Sequence, residues 1–150
     1  MSLNVAVVRM PHAADLPLPA YATEGSAGMD VYAAVDEPLL LPPGGIVMVP
    51  TGLQMAVPAG HECQVRSRSG LAAKNGVFAL NAPGTIDSDY RGEVKVILAN
   101  MSTQPFEITR GLRVAQLVVA RYETVRWNEG TSLEGTVRGE GGFGSTGVAL

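Results

Sequence analysis

GIVMVPTGLQMAV (45–57) decides the fold class of this chain. Ile46, Val47, Val49 and Thr51 are β-branched, and Pro50 and Gly52 punctuate the apolar run. That mixture suits a pleated, half-buried strand and not a helix interior, which proline and glycine both weaken. Outward from it, the same character recurs in LNVAVVRM (3–10), ECQVR (62–66), VFAL (77–80), EVKVILAN (93–100) and LRVAQLVVARY (112–122). Turn clusters LPPGG (41–45), VPAG (57–60) and TRG (109–111) separate the runs. Ten prolines and 18 glycines spread along the chain leave one helical candidate, the short GLAAKNG (70–76). Many short strands with regular punctuation predict an all-β sandwich or barrel. No internal repeat or linker divides the chain, and apolar periodicity stops near Glu129. The reading is therefore one β domain over 1–128 and an arm over 129–150.

Composition narrows the function classes. A chain of 150 residues holds one domain with its own core. The net charge of −3 leaves no basic footprint for a duplex, so no nucleic-acid partner is expected. The cationic residues are mostly arginine, and local positive charge in an acidic protein suits a small polyanion. Cys63 stands alone, which excludes an intrachain disulfide and fits a reducing compartment. No charged-then-apolar leader is evident, so the expected location is cytoplasmic. The apolar runs are short and proline-broken, so no membrane span is expected. His12 and His61 have no partner at metal-ligand spacing and read as surface residues.

Two polar segments carry the chemistry. RGEGGFGSTG (138–147) has little to bury. Glycine lets successive backbone N–H groups turn toward one anion, while Arg138, Ser145 and Thr146 add donors. Phe143 offers a flat face to a base or sugar. An arm closing over a phosphorylated, ring-bearing ligand and a disordered tail both fit this composition. No strand–loop–helix follows this segment, so it is not a P-loop. NAPGTIDSDYRGEV (81–94) sets turn residues between apolar runs and predicts a β-hairpin with polar groups at its mouth. Extended, it would put Asp87 and Asp89 on one face and Ser88 and Tyr90 on the other. These carboxylates are either solvated turn residues or, beside Tyr90 and Arg91, candidates for base chemistry.

AGMDVYA (27–33), RSGLA (68–72), GTIDSDYRGE (84–93), RVAQ (113–116) and RGEGGFGSTG (138–147) follow one another as a set of motifs. Through them nearly the whole chain resembles the trimeric deoxyuridine triphosphatases, the dUTPase family. Five collinear motifs are far more specific than any one of them. Val31 stands where the first motif usually has leucine, and Ser67 where a proline commonly precedes the arginine of the second. Neither departure removes a reactive group. The resemblance implies a distorted jelly roll with a flexible C-terminal arm, assembled as a homotrimer whose sites are shared between chains. It also implies hydrolysis of dUTP to dUMP and pyrophosphate, which limits uracil incorporation into DNA and supplies dUMP for dTMP synthesis.

Carried over position by position, the resemblance makes Asp87 the base that takes a proton from the attacking water. Arg68, Ser69 and Gly70 fall where the family contacts phosphate, and Gln116 where it holds a phosphate oxygen or ordered water. Arg138 would reach the γ-phosphate, with Gly142, Phe143, Gly144 and Ser145 closing the arm over the nucleotide. Thr85 and Ile86 would present backbone groups to the uracil edge, completed by the Asn81 amide. Cytosine reverses that pattern at its 4-position, a mismatch that can discriminate by roughly 10⁴. Tyr90 would lie under the deoxyribose and clash with a ribose 2′-hydroxyl. Mg²⁺ is the implied cofactor, held mainly by the phosphates, with Asp30 holding one of its waters. Arg113 either contacts phosphate or orders Asp30.

Other classes remain distinguishable. A deoxycytidine triphosphate deaminase shares this fold, but would need a glutamate placed for deamination and is not expected to keep the glycine–phenylalanine arm. A nucleotide-binding regulator would have binding without turnover. A jelly-roll structural subunit would explain the strands and none of the motif residues.

Overall fold

The computed structural model describes residues 2–149. The order is β1 (Ala6–Arg9), a 3-10 turn (Pro11–Ala13), β2 (Ala20–Tyr21), β3 (Met29–Tyr32), β4 (Leu39–Leu41), β5 (Ile46–Ala56) and β6 (His61–Arg66). Helix α1 (Ser69–Asn75) follows, then β7 (Val77–Ala79), β8 (Gly84–Ile86), β9 (Val94–Asn100), β10 (Phe106–Ile108) and β11 (Arg113–Arg121). Strands β1-β5-β9-β7 form one sheet, β2-β3-β11-β6-β8 a second, and β10-β4 a small third. Every pairing is antiparallel.

Alternation puts the core between the sheets. In β9, Val94, Val96 and Leu98 are buried while Lys95 is exposed. Val49 and Leu53 of β5 meet Val31, Cys63, Val65 and Leu117 of the other large sheet in one cluster, with Leu41 and Ile108 closing it from the small sheet. Full burial of each such side chain contributes about 1.5–3 kcal/mol. The all-β sandwich expected from the sequence is present, and its form is a distorted jelly roll. The long runs lie within one to three residues of their expected ends, and the one helix lies where GLAAKNG placed it. The short strands β2, β3, β4 and β10 had no separate apolar run to mark them.

A bulge in β5 makes the seat for the Pro11–Ala13 turn. The register of β5 with β9 shifts between Pro50 and Leu53. Gly52 there has φ +66°, and a Cβ on it would collide with the Ala13 Cβ. Only glycine lets the turn pack against β5, where Met10 N–H donates to Gly52 O at 2.7 Å.

The segment 84–94 differs from the expected hairpin. Strand β8 pairs only with β6, whereas β9 lies between β5 and β7 in the opposite sheet. The chain arches across the sandwich because Gly84 and Ile86 must face the core from one sheet and Val94 and Val96 from the other. Residues 87–90 are a turn, not an extended stretch, with Tyr90 N–H donating to Asp87 O at 3.1 Å. The expected two-faced alternation of Asp87 and Asp89 against Ser88 and Tyr90 therefore does not apply. Beyond β11, residues 122–140 are exposed, and among the described residues no strand or helix follows. Among the described residues no helix is long and apolar enough to cross a membrane.

Candidate active site

Strand β8 is the edge of its sheet, so one side of its backbone has no ladder partner. A cleft of about 440 Å³ opens there, within the size range of small-molecule sites. Asn81, Gly84, Thr85, Ile86, Asp87 and Tyr90 line it from the arch, and Met48, Lys95 and Ile97 from the other sheet. An unpaired strand edge beside an amide side chain offers the alternating donors and acceptors that a pyrimidine edge requires. Asp87 is exposed and faces the cleft, whereas Asp89 is not among the residues that line it.

The arch is held by side chains that donate to its backbone carbonyls. Arg91 Nη1 donates to Ser88 O at 2.7 Å and to Tyr90 O at 2.9 Å, and Gln54 Nε2 donates to Arg91 O at 3.0 Å. The Tyr90 hydroxyl donates to Glu93 O at 2.9 Å, which folds the ring back over Gly92. Arg91, read from sequence as a neighbour to base chemistry, serves here as a brace for the turn.

A second group of predicted residues gathers around Asp30 on β3. The buried carboxylate accepts from Arg68 Nε at 3.0 Å, Arg113 Nη1 at 3.2 Å and Gln116 Nε2 at 3.4 Å. Strands β3 and β11 pair Asp30 with Gln116 directly, and β6 ends in the residues that lead to Arg68. Arg68 Nη1 also reaches Arg113 O at 3.3 Å. Of the two readings left open for Arg113, ordering Asp30 is the one this geometry matches. Ser69 and Gly70 open α1 directly beyond Arg68. Ser67, the departure from the second motif, has its own use: its Oγ accepts from Ala79 N–H at 2.9 Å.

The third group, on the arm, joins neither of the others. Arg138 Nε donates to Gly141 O at 2.8 Å, within its own loop. Tight turns close Gly142 to Ser145 and Gly144 to Gly147, and the Phe143 ring is fully exposed. Thus one chain assembles a cleft, an arginine–aspartate cluster and an arm as three separate pieces.

His12, expected as a surface residue and not as a metal ligand, is half-buried, and its Nε2 lies 2.8 Å from Glu93 Oε1. The spacing of 81 residues hid the pair. Arg110 likewise binds Asp15, together with His12 O at 2.8 Å and Val35 O at 3.2 Å. That contact holds the Asp15 carboxyl below, and the Arg110 guanidinium above, their ordinary values.

Among the described residues no three His, Cys, Asp or Glu side chains cluster to hold a metal. A carboxylate has about four acceptor positions. Asp30 gives three of its own to Arg68, Arg113 and Gln116, which leaves room for one water. The donor set fits a divalent cation that arrives on a polyphosphate and does not fit an all-protein cage.

Fold and cleft together define a jelly-roll protein with a polar, small-molecule-sized site at a sheet edge. The family model described as dUTPase matches residues 14–147, and the chain belongs to that family. Deoxyuridine 5'-triphosphate nucleotidohydrolase of Anaplasma marginale is 56% identical over 146 residues, covering 97% of this chain and 99% of that protein. The protein of the same name from Methylocella silvestris is 56% identical over 149 residues, covering 98% and 93%. Among solved structures, a Staphylococcus bacteriophage 80alpha dUTPase mutant with dUpNHpp superposes with a TM-score of 0.87 at 23% identity, covering 98% of this chain and all of that one. A dUTPase from phage phi11 of S. aureus, described with a structural Mg(II) ion, gives 0.78 at 20% identity, covering 88% and 99%.

Proposed function

We propose that the chain hydrolyses dUTP to dUMP and pyrophosphate, limiting uracil incorporation into DNA and supplying dUMP for dTMP synthesis. The observation that carries the reading is the grouping of Asn81, Thr85, Ile86, Asp87 and Tyr90 around one cleft, on a chain of the dUTPase family. The β8 edge and the Asn81 amide bind the uracil edge, and Tyr90 supports the deoxyribose. Asp87 takes the proton from a water aligned with the α-phosphorus. Arg68, Ser69, Gly70 and Gln116 bind phosphate oxygens, with the Asp30 carboxylate fixing the Arg68 guanidinium in place.

Arg138 binds the γ-phosphate, and Gly142, Phe143, Gly144 and Ser145 close over the nucleotide. Asp30 would hold one water of a Mg²⁺ that arrives with the triphosphate, and that ion would supply charge neutralisation at the phosphates and leaving group. Because cleft, arginine cluster and arm lie apart in one chain, a complete site draws them from different chains of a homotrimer. The arm, over 129–149 of the described residues, is mobile until nucleotide orders it, and the described residues before it form a single β domain. The enzyme works in the cytoplasm.

Incubation with each deoxynucleoside triphosphate tests this. Pyrophosphate from dUTP alone is the expected result. Ammonia from dCTP would identify a deaminase, and binding without either product a regulator.

A further inference from the structure

The side chain that this reading places beneath the sugar is itself held by Glu93, the last residue of its own motif, and through it by His12, which lies outside every motif. The Tyr90 ring folds back so closely over the backbone that a Cβ on Gly92 would collide with the hydroxyl and lie 2.6 Å from Cζ. Its hydroxyl donates to the Glu93 carbonyl at 2.9 Å, so the position of Glu93 sets the position of the ring. Glu93 is fixed by its own side chain. Oε1 accepts from Gly52 N–H at 2.9 Å, at the β5 bulge, and lies 2.8 Å from His12 Nε2. Since a carboxylate only accepts, His12 is the donor. Lys95 Nζ is 4.0 Å from the other oxygen.

His12 is anchored in turn. The 3-10 turn that carries it seats on Gly52, and Arg110 Nη2 donates to the His12 carbonyl at 2.8 Å. The Glu93 side chain is only 15% exposed and that of His12 31% exposed, so water competes weakly for the bond.

We propose that His12 and Glu93 are positioning residues for sugar selection. They lock the 88–93 turn so that Tyr90 stands against the sugar's 2-position, and a ribonucleotide is excluded by a wall that cannot retreat. The inference rests on the reading of Tyr90 as the sugar platform. His12 lies outside the lining of the cleft and Glu93 is part of it; both affect sugar selection through Tyr90.

The test uses the full-length protein with His12→Ala, His12→Gln, Glu93→Ala, the His12→Ala/Glu93→Ala double variant and Tyr90→Ala as reference. Two quantities are measured: hydrogen exchange of peptides covering 88–93 without nucleotide, and the ratio of kcat/KM for dUTP to that for UTP. His12→Ala and Glu93→Ala should speed exchange across 88–93 and lower the ratio about fivefold, the scale of one net hydrogen bond. The dUTP loss should fall on KM, with kcat held within about twofold. His12→Gln, which keeps an N–H donor of similar reach, should restore most of both. The double variant should be no worse than Glu93→Ala alone, since the two act as one unit.

Unchanged exchange in the single variants would overturn the proposal, as would faster exchange with an unchanged ratio. Should Glu93→Ala fail to fold, the two His12 variants decide the matter. Tyr90→Ala separates the two kinds of failure. An unchanged ratio there removes the sugar platform and the proposal with it. A lowered ratio there, beside wild-type ratios for His12→Ala and Glu93→Ala, overturns the positioning pair alone.

Discussion

Replacing Asp30 with asparagine should separate what its carboxylate does for the protein from what it does for a metal. Asp30 sits between Arg68 Nε at 3.0 Å and Arg113 Nη1 at 3.2 Å, with Gln116 Nε2 at 3.4 Å. Asparagine keeps one acceptor oxygen and turns an amide N–H₂ toward the second guanidinium. A hydrogen bond to a charged group is worth about 1.5–3 kcal/mol. The Arg113 side chain is 53% exposed and that of Arg68 29%, so solvent recovers part of the loss. A cost of about 1–2 kcal/mol remains after that screening. For a chain of this length the melting temperature should drop by roughly 2–8 °C.

Without its fixed partner, Arg68 loses orientation, and KM for dUTP should rise about five- to tenfold while kcat falls less. Thermal unfolding followed by steady-state kinetics across a Mg²⁺ titration gives all three quantities. An unchanged melting temperature would refute the guanidinium-ordering role. An unchanged KM would refute the ordering of Arg68 by Asp30, and an unchanged Mg²⁺ requirement would refute the metal-bound water on Asp30.

Hydrogen exchange across 138–147 should slow on adding a non-hydrolysable dUTP analogue, because ordering each residue costs roughly 1–2 kcal/mol that the free arm has no burial to offset. Equal protection in both states would rule out a lid. Co-refolding an Asp87→Asn chain with one truncated before Arg138 should restore roughly a quarter of the sites if cleft and arm come from different chains. No recovery, with mixed trimers confirmed by mass, would mean that the arm serves its own chain's cleft. Burial, with Glu62 nearby, pushes the Cys63 thiol up to about 11 from 9.0. The unfolded chain then ionises first as pH rises, so the stability Cys63 contributes is intact below pH 9 and lost by about pH 11. Wild type should lose about 2–3 kcal/mol more than Cys63→Ala across that interval, and identical pH profiles would contradict the burial argument.

Strands such as β5, β9 and β11 were legible because their runs are rich in β-branched or alternating apolar residues, and α1 because GLAAKNG stops at a glycine. Strand partners were not. Gly84–Ile86 and Val94–Asn100 read as two arms of a hairpin, since turn residues mark where a chain bends and not which sheet it rejoins. The correction has a functional consequence, because β8 at a sheet edge keeps backbone groups free for a ligand. Short strands such as Ala20–Tyr21 fall below the length at which alternation can be recognised. Site residues were legible only through the family resemblance that the five ordered segments carry, and the structure brings Asn81, Thr85, Ile86, Asp87 and Tyr90 to one cleft. His12 was legible only as an isolated histidine. Its bond to Glu93 depends on the Gly52 bulge and on a turn that seats against it, and neither leaves a local pattern.

The most direct measurement compares pyrophosphate release from dUTP by Asp87→Asn and Asp89→Asn, with dUTP affinity measured for each. Asp87 lines the cleft and Asp89 does not. Asparagine keeps the size of the side chain and most of its hydrogen bonding while removing the basic oxygen. Asp87→Asn should therefore lose about 10²–10⁴ in turnover, with affinity within a few-fold of wild type. Asp89→Asn should keep its turnover. Near-normal hydrolysis by Asp87→Asn, or its loss in Asp89→Asn alone, would contradict the assignment of Asp87 as the base.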